Sequence, residues 1–150
     1  EPDNLDLQRR LLQLQLGTGA LESALATVRH IQSLPDPLTR EDQEQIARVL
    51  EWNNRPAEAL EYWQALYFSA PSQESLERSL DLARGLFRWQ TLAELLSRAA
   101  GQGQVDADGY VLLANTLIRQ GLLEQAEQRL KEGLTRFPRS RPIRQHLLHL

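Results

Sequence analysis

The imidazoles of His30, His146 and His149 are the side chains best suited to acid-base or metal chemistry, and the chain has no cysteine. A nucleophile-base pair or a three-ligand metal site needs partners that converge on the imidazole, and the sequence pairs none with these three. His146 and His149 sit three apart on one helical face and could share a metal, but solvated surface histidines are the better reading. Gly17-Thr18-Gly19 is too short for a phosphate loop and lacks its lysine, so it reads as helix punctuation. Paired glutamates such as Glu44 and Glu51 have the residue type for glycoside hydrolysis, yet nothing beside them would raise the pKa of one partner. No catalytic, cofactor-binding or metal-ligating residue is assigned, and the chain reads as a non-enzyme.

Composition narrows the classes further. The chain has 150 residues, 41% of them hydrophobic, enough for one continuous core in a single domain or short repeat array over 1-150. No apolar run approaches the roughly 18 residues of a membrane span, and the acidic opening Glu1-Pro2-Asp3 lacks the basic and apolar regions of a signal peptide. The numbering begins without methionine, so the chain is expected to be a piece of a longer protein, with no membrane contact of its own. A net charge of −3 argues against a nucleic-acid partner, because phosphate binding wants a concentrated positive field. The charge is uneven: Glu41 to Asp81 holds nine carboxylates against three arginines, whereas Arg129 to Leu150 holds six basic side chains against Glu132 alone.

The elements that would position these residues are helices. Apolar residues recur at three- and four-residue spacing, as in Leu21, Leu25 and Val28, with no sustained alternation of period two. Breakers at Gly17-Thr18-Gly19, Pro35-Asp36-Pro37, Asn53-Asn54-Arg55-Pro56, Pro71, Gly101-Gln102-Gly103, Gly121 and Pro138 divide the chain into segments of about a dozen residues. The segments repeat: Ala24, Ala59, Leu92 and Ala126 end aligned blocks, and each is followed four residues later by a bulky residue, Val28, Trp63, Leu96 and Leu130.

This spacing resembles the tetratricopeptide repeat, a pair of antiparallel helices about 34 residues long. The stretch 107-140 fits through Tyr110, Leu113, Ala114, Leu117, Ala126, Leu130, Gly133 and Pro138. The stretch 40-73 fits through Ile46, Ala47, Leu50, Ala59, Trp63, Leu66 and Pro71. Repeats at 5-38 and 73-104 match less closely. The latter puts Leu80 and Leu92 where small residues belong, leaving its register uncertain by a residue or two. From Arg141 to Leu150 another first helix begins, with Leu147 and Leu148 expected at core positions and the array expected to continue. The fold class is all-α, tandem antiparallel helix hairpins in a superhelical solenoid of about four repeats.

Trp63 and Trp89 are expected in the core, whereas Trp52 ends a first helix whose inward face is already filled by Ile46, Val49 and Leu50. In the family that this chain resembles, residues just off the inward face line a concave groove. The resemblance places Glu41, Glu44, Arg48, Glu51, Trp52, Glu74, Glu77 and Asp81 there, an acidic surface for a partner with basic or apolar groups. Members that clamp a carboxylate terminus use lysine and asparagine, where this chain has Glu41, Glu44 and Arg48. The degenerate repeats are also similar to periplasmic scaffold segments of outer-membrane proteins in bacterial exopolysaccharide export of the Pel type. That resemblance implies docking of a polysaccharide-modifying enzyme in the periplasm, while the alternative is direct binding of a cationic polysaccharide through Trp52 and the carboxylates.

Overall fold

The computed structural model describes residues 4-150, so the opening Glu1-Pro2-Asp3 lies outside the described residues. Helices follow one another as α1 (Asn4–Thr18), α2 (Leu21–Ser33), α3 (Arg40–Trp52), α4 (Pro56–Ser69), α5 (Gln73–Gly85), α6 (Trp89–Gly101), α7 (Ala107–Arg119), α8 (Leu123–Arg136) and α9 (Arg141–Leu148). Among the described residues there is no strand, and no helix is long and apolar enough to cross a membrane. By contact density the chain divides into two compact units, Glu1–Ser75 and Leu76–Leu150.

Within each hairpin the two helices are joined by the same backbone device. Gly19, Asn54, Phe87 and Gly121 all have positive φ, between 56° and 78°. The next residue's amide reaches back over the turn: Ala20 to Gln15, Arg55 to Leu50, Arg88 to Ala83 and Leu122 to Leu117, at 2.8 to 3.0 Å. This six-to-one closure satisfies carbonyls that the helix end would otherwise leave open, and it needs one residue in the left-handed region. Because the reversal is closed by backbone alone, α2, α4, α6 and α8 start without a side-chain cap.

The first helices use side chains instead. Thr39 and Asp42 form a reciprocal capping box at α3, and Asp106 and Ser140 cap α7 and α9. Three of the second helices stop because the residue after them precedes a proline: Leu34, Ala70 and Phe137 are driven out of helical geometry by Pro35, Pro71 and Pro138. At the end of α6 the same task falls to Gly103, at φ +73°, with Gln104 bonded back to Ala99.

In the first unit the core joins Leu12 of α1, Val28 and Ile31 of α2, Ile46 and Leu50 of α3, and Trp63, Leu66 and Tyr67 of α4. In the second it joins Leu92, Leu95 and Leu96 of α6, Tyr110, Leu113 and Leu117 of α7, Leu130 of α8 and Ile143 of α9. Ala59 and Ala126, which the repeat places at helix crossings, are fully buried. Gly133 shows why the crossing must be small: a Cβ there would lie 2.7 Å from Tyr110 Cγ and 3.1 Å from Ile143 Cδ1.

Two core expectations are corrected, and α5 departs from the pattern as expected. Trp89 is only half-buried, because it opens α6 at the hairpin corner, where Arg119 lies 4.8 Å over its ring and Phe87 meets its edge at 5.8 Å. In α5 the buried residues are Ser75, Leu76, Ser79 and Ala83, whereas Leu80 is half-buried. By the shared hairpin closure Leu80 stands three residues before Ala83, as Ala47 stands before Leu50 and Ala114 before Leu117, so a leucine does occupy the place of the small residue. In α9 the fully buried residue is Ile143, Leu147 is half-buried and Leu148 is 81% exposed.

Phe87 is a bulky side chain in the left-handed region and is 71% exposed. That backbone costs about 1–2 kcal/mol for a residue with a Cβ, more than the unfolded-state entropy that glycine adds. Phe87→Gly should therefore raise stability by about 0.5–1 kcal/mol, measured by chemical denaturation. Gly133→Ala should do the opposite. Alanine gains about 1 kcal/mol of helix propensity, but overpacking against Tyr110 costs about 1–3, so a net loss is expected in the same assay.

Candidate functional site

Glu41, Gln45, Arg48 and Trp52 follow one another at four-, three- and four-residue steps, which puts them on one face of α3. Alongside runs α1, and a shallow cleft of about 250 Å³ is lined by Arg9 and Gln13 of α1 and by Thr39, Glu41, Asp42 and Gln45. Asp42 organises this joint. It is 8% exposed, takes hydrogen bonds from Arg9 Nε at 2.8 Å and Nη2 at 2.6 Å, and accepts from the Thr39 amide at 3.0 Å. Burial works to raise the Asp42 pKa, but the Arg9 and Thr39 hydrogen bonds outweigh it and hold the carboxyl below its ordinary value.

The other expected groove residues are bound into a second network. Arg48 Nη2 meets Glu74 Oε1 at 2.6 Å, in the first turn of α5, and lies 3.7 Å from Glu44 Oε2. Glu44 also accepts from Arg40 Nε at 3.1 Å. Glu51 accepts from the indole nitrogen of the fully buried Trp63 at 2.7 Å, while the Arg48 guanidinium carbon stands 5.8 Å from the Trp63 ring centre. A buried indole N–H left without an acceptor would cost about 1–3 kcal/mol, so Glu51 serves the core as well as the surface. Glu41 is exposed and Trp52 is 52% exposed, at opposite ends of the α3 face. Glu77 and Asp81 are exposed on the part of α5 that belongs to the second unit.

Sequence reasoning overlooked Arg9, Gln13 and Gln45 on this face. The signal for Asp42 was present, since Thr39 with an acidic residue three positions on is a capping-box pattern. Arg9 lies 33 residues before Asp42, close to one repeat length, which only the packed hairpins bring together. Elsewhere, His146 Nδ1 lies 2.8 Å from the Pro142 carbonyl, and because a carbonyl only accepts, that nitrogen carries the proton.

The Asp42 carboxyl has a depressed pKa in the fold, so its contribution is present above the unfolded value of about 3.9 and is lost as pH falls through the folded value. Asp42→Asn should destabilise by about 1–2 kcal/mol near neutrality, and the gap to the parent chain should close in acid below about pH 4. Urea denaturation at a series of pH values checks this. A gap unchanged at low pH would remove the ionised carboxylate from the account.

No protein-family model and no curated protein matches the chain. Among solved structures, a MamA protein superposes with TM-score 0.59 at 16% identity, over 92% of this chain and 75% of the other. MamA from Desulfovibrio magneticus superposes with TM-score 0.55 at 18% identity, over 97% and 82%. A tetratricopeptide repeat protein from Parabacteroides merdae gives TM-score 0.56 at 14% identity, over 93% and 56%. With its helices hairpinned in tandem and these structures alongside it, the chain has an all-α fold of the tetratricopeptide-repeat type.

Proposed function

We propose that the chain is a protein-protein interaction scaffold and that the α3 face is a docking surface for a partner presenting basic and apolar groups. Trp52 is the observation that carries this reading. The inward side of α3 is filled by Ile46, Ala47, Val49 and Leu50, all fully buried, so the fold does not need an aromatic ring at 52, which stands 52% in solvent. Tryptophan is the residue most enriched among side chains that anchor protein partners. Glu41 adds a carboxylate on the same face, and exposed charge steers encounter more than it holds the complex.

A non-enzymatic role fits the carboxylate chemistry. Among the described residues, the two carboxylates with shifted pKa, Asp42 and Glu58, are held down by arginines, Arg9 and Arg29. A general acid needs the opposite shift. The tetratricopeptide-type fold supports an interaction role by analogy alone.

The finer reading rests on the sequence resemblance to Pel-type export proteins. In it, this chain is a periplasmic segment of a longer outer-membrane protein, and its partner is a polysaccharide-modifying enzyme. A second reading, direct binding of a cationic polysaccharide, draws on the same exposed ring beside carboxylates, since aromatic faces stack on sugar rings.

Affinity capture on the immobilised chain, followed by surface plasmon resonance with the protein retained, tests the proposal. Trp52→Ala should speed dissociation by tenfold or more, in line with about 2 kcal/mol for a hot-spot aromatic. Glu41→Lys should slow association and flatten its salt dependence while leaving dissociation near the parent value. A partner whose kinetics ignore both substitutions would overturn the α3 surface. Saturable, Trp52-dependent binding of chitosan with no protein retained would favour the polysaccharide reading.

A further inference from the structure

The basic stretch at the end of the second unit spends only some of its charge internally. Arg129 pairs with Glu132 at 3.0 Å, Lys131 with Glu127 at 3.2 Å, and Arg144 turns back to the carbonyls of Ser140 and Arg139. Arg136, Arg139 and Arg141 are exposed, and their guanidiniums stand outside every ion pair and hydrogen bond of the described residues. Arg136 lies against Gly103, where a Cβ would come within 3.2 Å of its Nη2, so the turn after α6 leaves room for the guanidinium.

Arg136 and Arg139 border a cleft of about 500 Å³ where the end of α8 meets the starts of α7 and α9. Phe137, Pro138 and Pro142 give it an apolar lining, and Asp108 is its one carboxylate. Phe137 is held in place edge-on to the buried Tyr110, with ring centres 6.2 Å apart, and the prolines have few conformations to lose on binding. The floor is thus rigid before a ligand arrives.

The two features select one kind of occupant together. An apolar floor gains by shedding water onto an apolar side chain, and unpaired guanidiniums gain most from carboxylates, which they can grip through two parallel hydrogen bonds. A densely charged polymer such as single-stranded nucleic acid would meet Asp108 on the rim and a net-negative chain beyond it. We propose that this cleft docks an acidic peptide segment of a partner protein, one in which a bulky apolar side chain is flanked by Asp or Glu. The apolar side chain sits on Phe137 and the prolines, and the flanking carboxylates meet Arg136, Arg139 and Arg141. The proposal stands independently of the α3 surface.

Fluorescence anisotropy tests it with the full chain and a labelled peptide carrying one leucine between runs of glutamate. The expected result is saturable binding that weakens as salt rises and falls about tenfold or more in the Arg139→Glu, Arg141→Glu double variant. Circular dichroism should report the same helix content for both chains, since neither guanidinium has a partner in the fold. Replacing the peptide leucine by serine should also weaken binding, and titration should move the Phe137 and Ser140 amide resonances. Absence of saturable binding would overturn the proposal. So would equal affinity for the serine peptide, indifference to the double variant, or tighter binding of oligothymidylate at the same salt.

Discussion

Each hairpin depends on a single residue in left-handed backbone geometry. With that residue in place, two backbone hydrogen bonds close the end of the first helix and aim the chain straight into the second. The distance from Leu50 to Ala59, or from Leu117 to Ala126, is then fixed, and the apolar stripes of the two helices meet in one register. Glycine meets the requirement at 19 and 121 without cost, asparagine tolerates it at 54, and Phe87 bears it as strain. The corner at 87 has a further consequence: it carries two rings outward, so that Trp89 is covered by Arg119 and not by the core.

Close approach is the second requirement, and it explains which side chains are small. Gly133 lets α8 settle on Tyr110 and Ile143, and Ala59 and Ala126 do the same at their crossings. Where the chain instead buries a large polar group, surface charges are drawn inward to serve it. Trp63 fills the first unit's core, and its N–H is satisfied by Glu51 while Arg48 lies over its ring. Arg48 in turn binds Glu74, which links α3 to the first turn of α5.

The acidic stretch is therefore less free than its charge implies. Glu44, Glu51 and Glu74 serve internal contacts, and Asp42 is spent on Arg9 and the start of α3. Of the groove residues expected on α3, Glu41 and Trp52 at its two ends remain the exposed ones. In the second unit the balance differs, since three arginines near Phe137 are left without partners beside an apolar floor.

Much of the fold was legible in the sequence because it rests on local rules. Helix breakers, the three- and four-residue apolar spacing and the recurrence of Ala24, Ala59, Leu92 and Ala126 each act within one hairpin, and Pro35, Pro71 and Pro138 end helices by sterics with their immediate neighbours. The burial of Trp63 followed from its place in that pattern. Tertiary structure alone decided that Ile143 and not Leu148 anchors α9, and that Trp89 is half-buried at a hairpin corner. It also decided which carboxylates are occupied. Periodicity tells which side of a helix a residue is on, whereas burial and pairing depend on what another helix, some 30 residues away, brings to that side. Arg9 with Asp42 is the clearest instance: each is legible alone as a charged helix residue, and only the packing of α1 beside α3 makes them a pair.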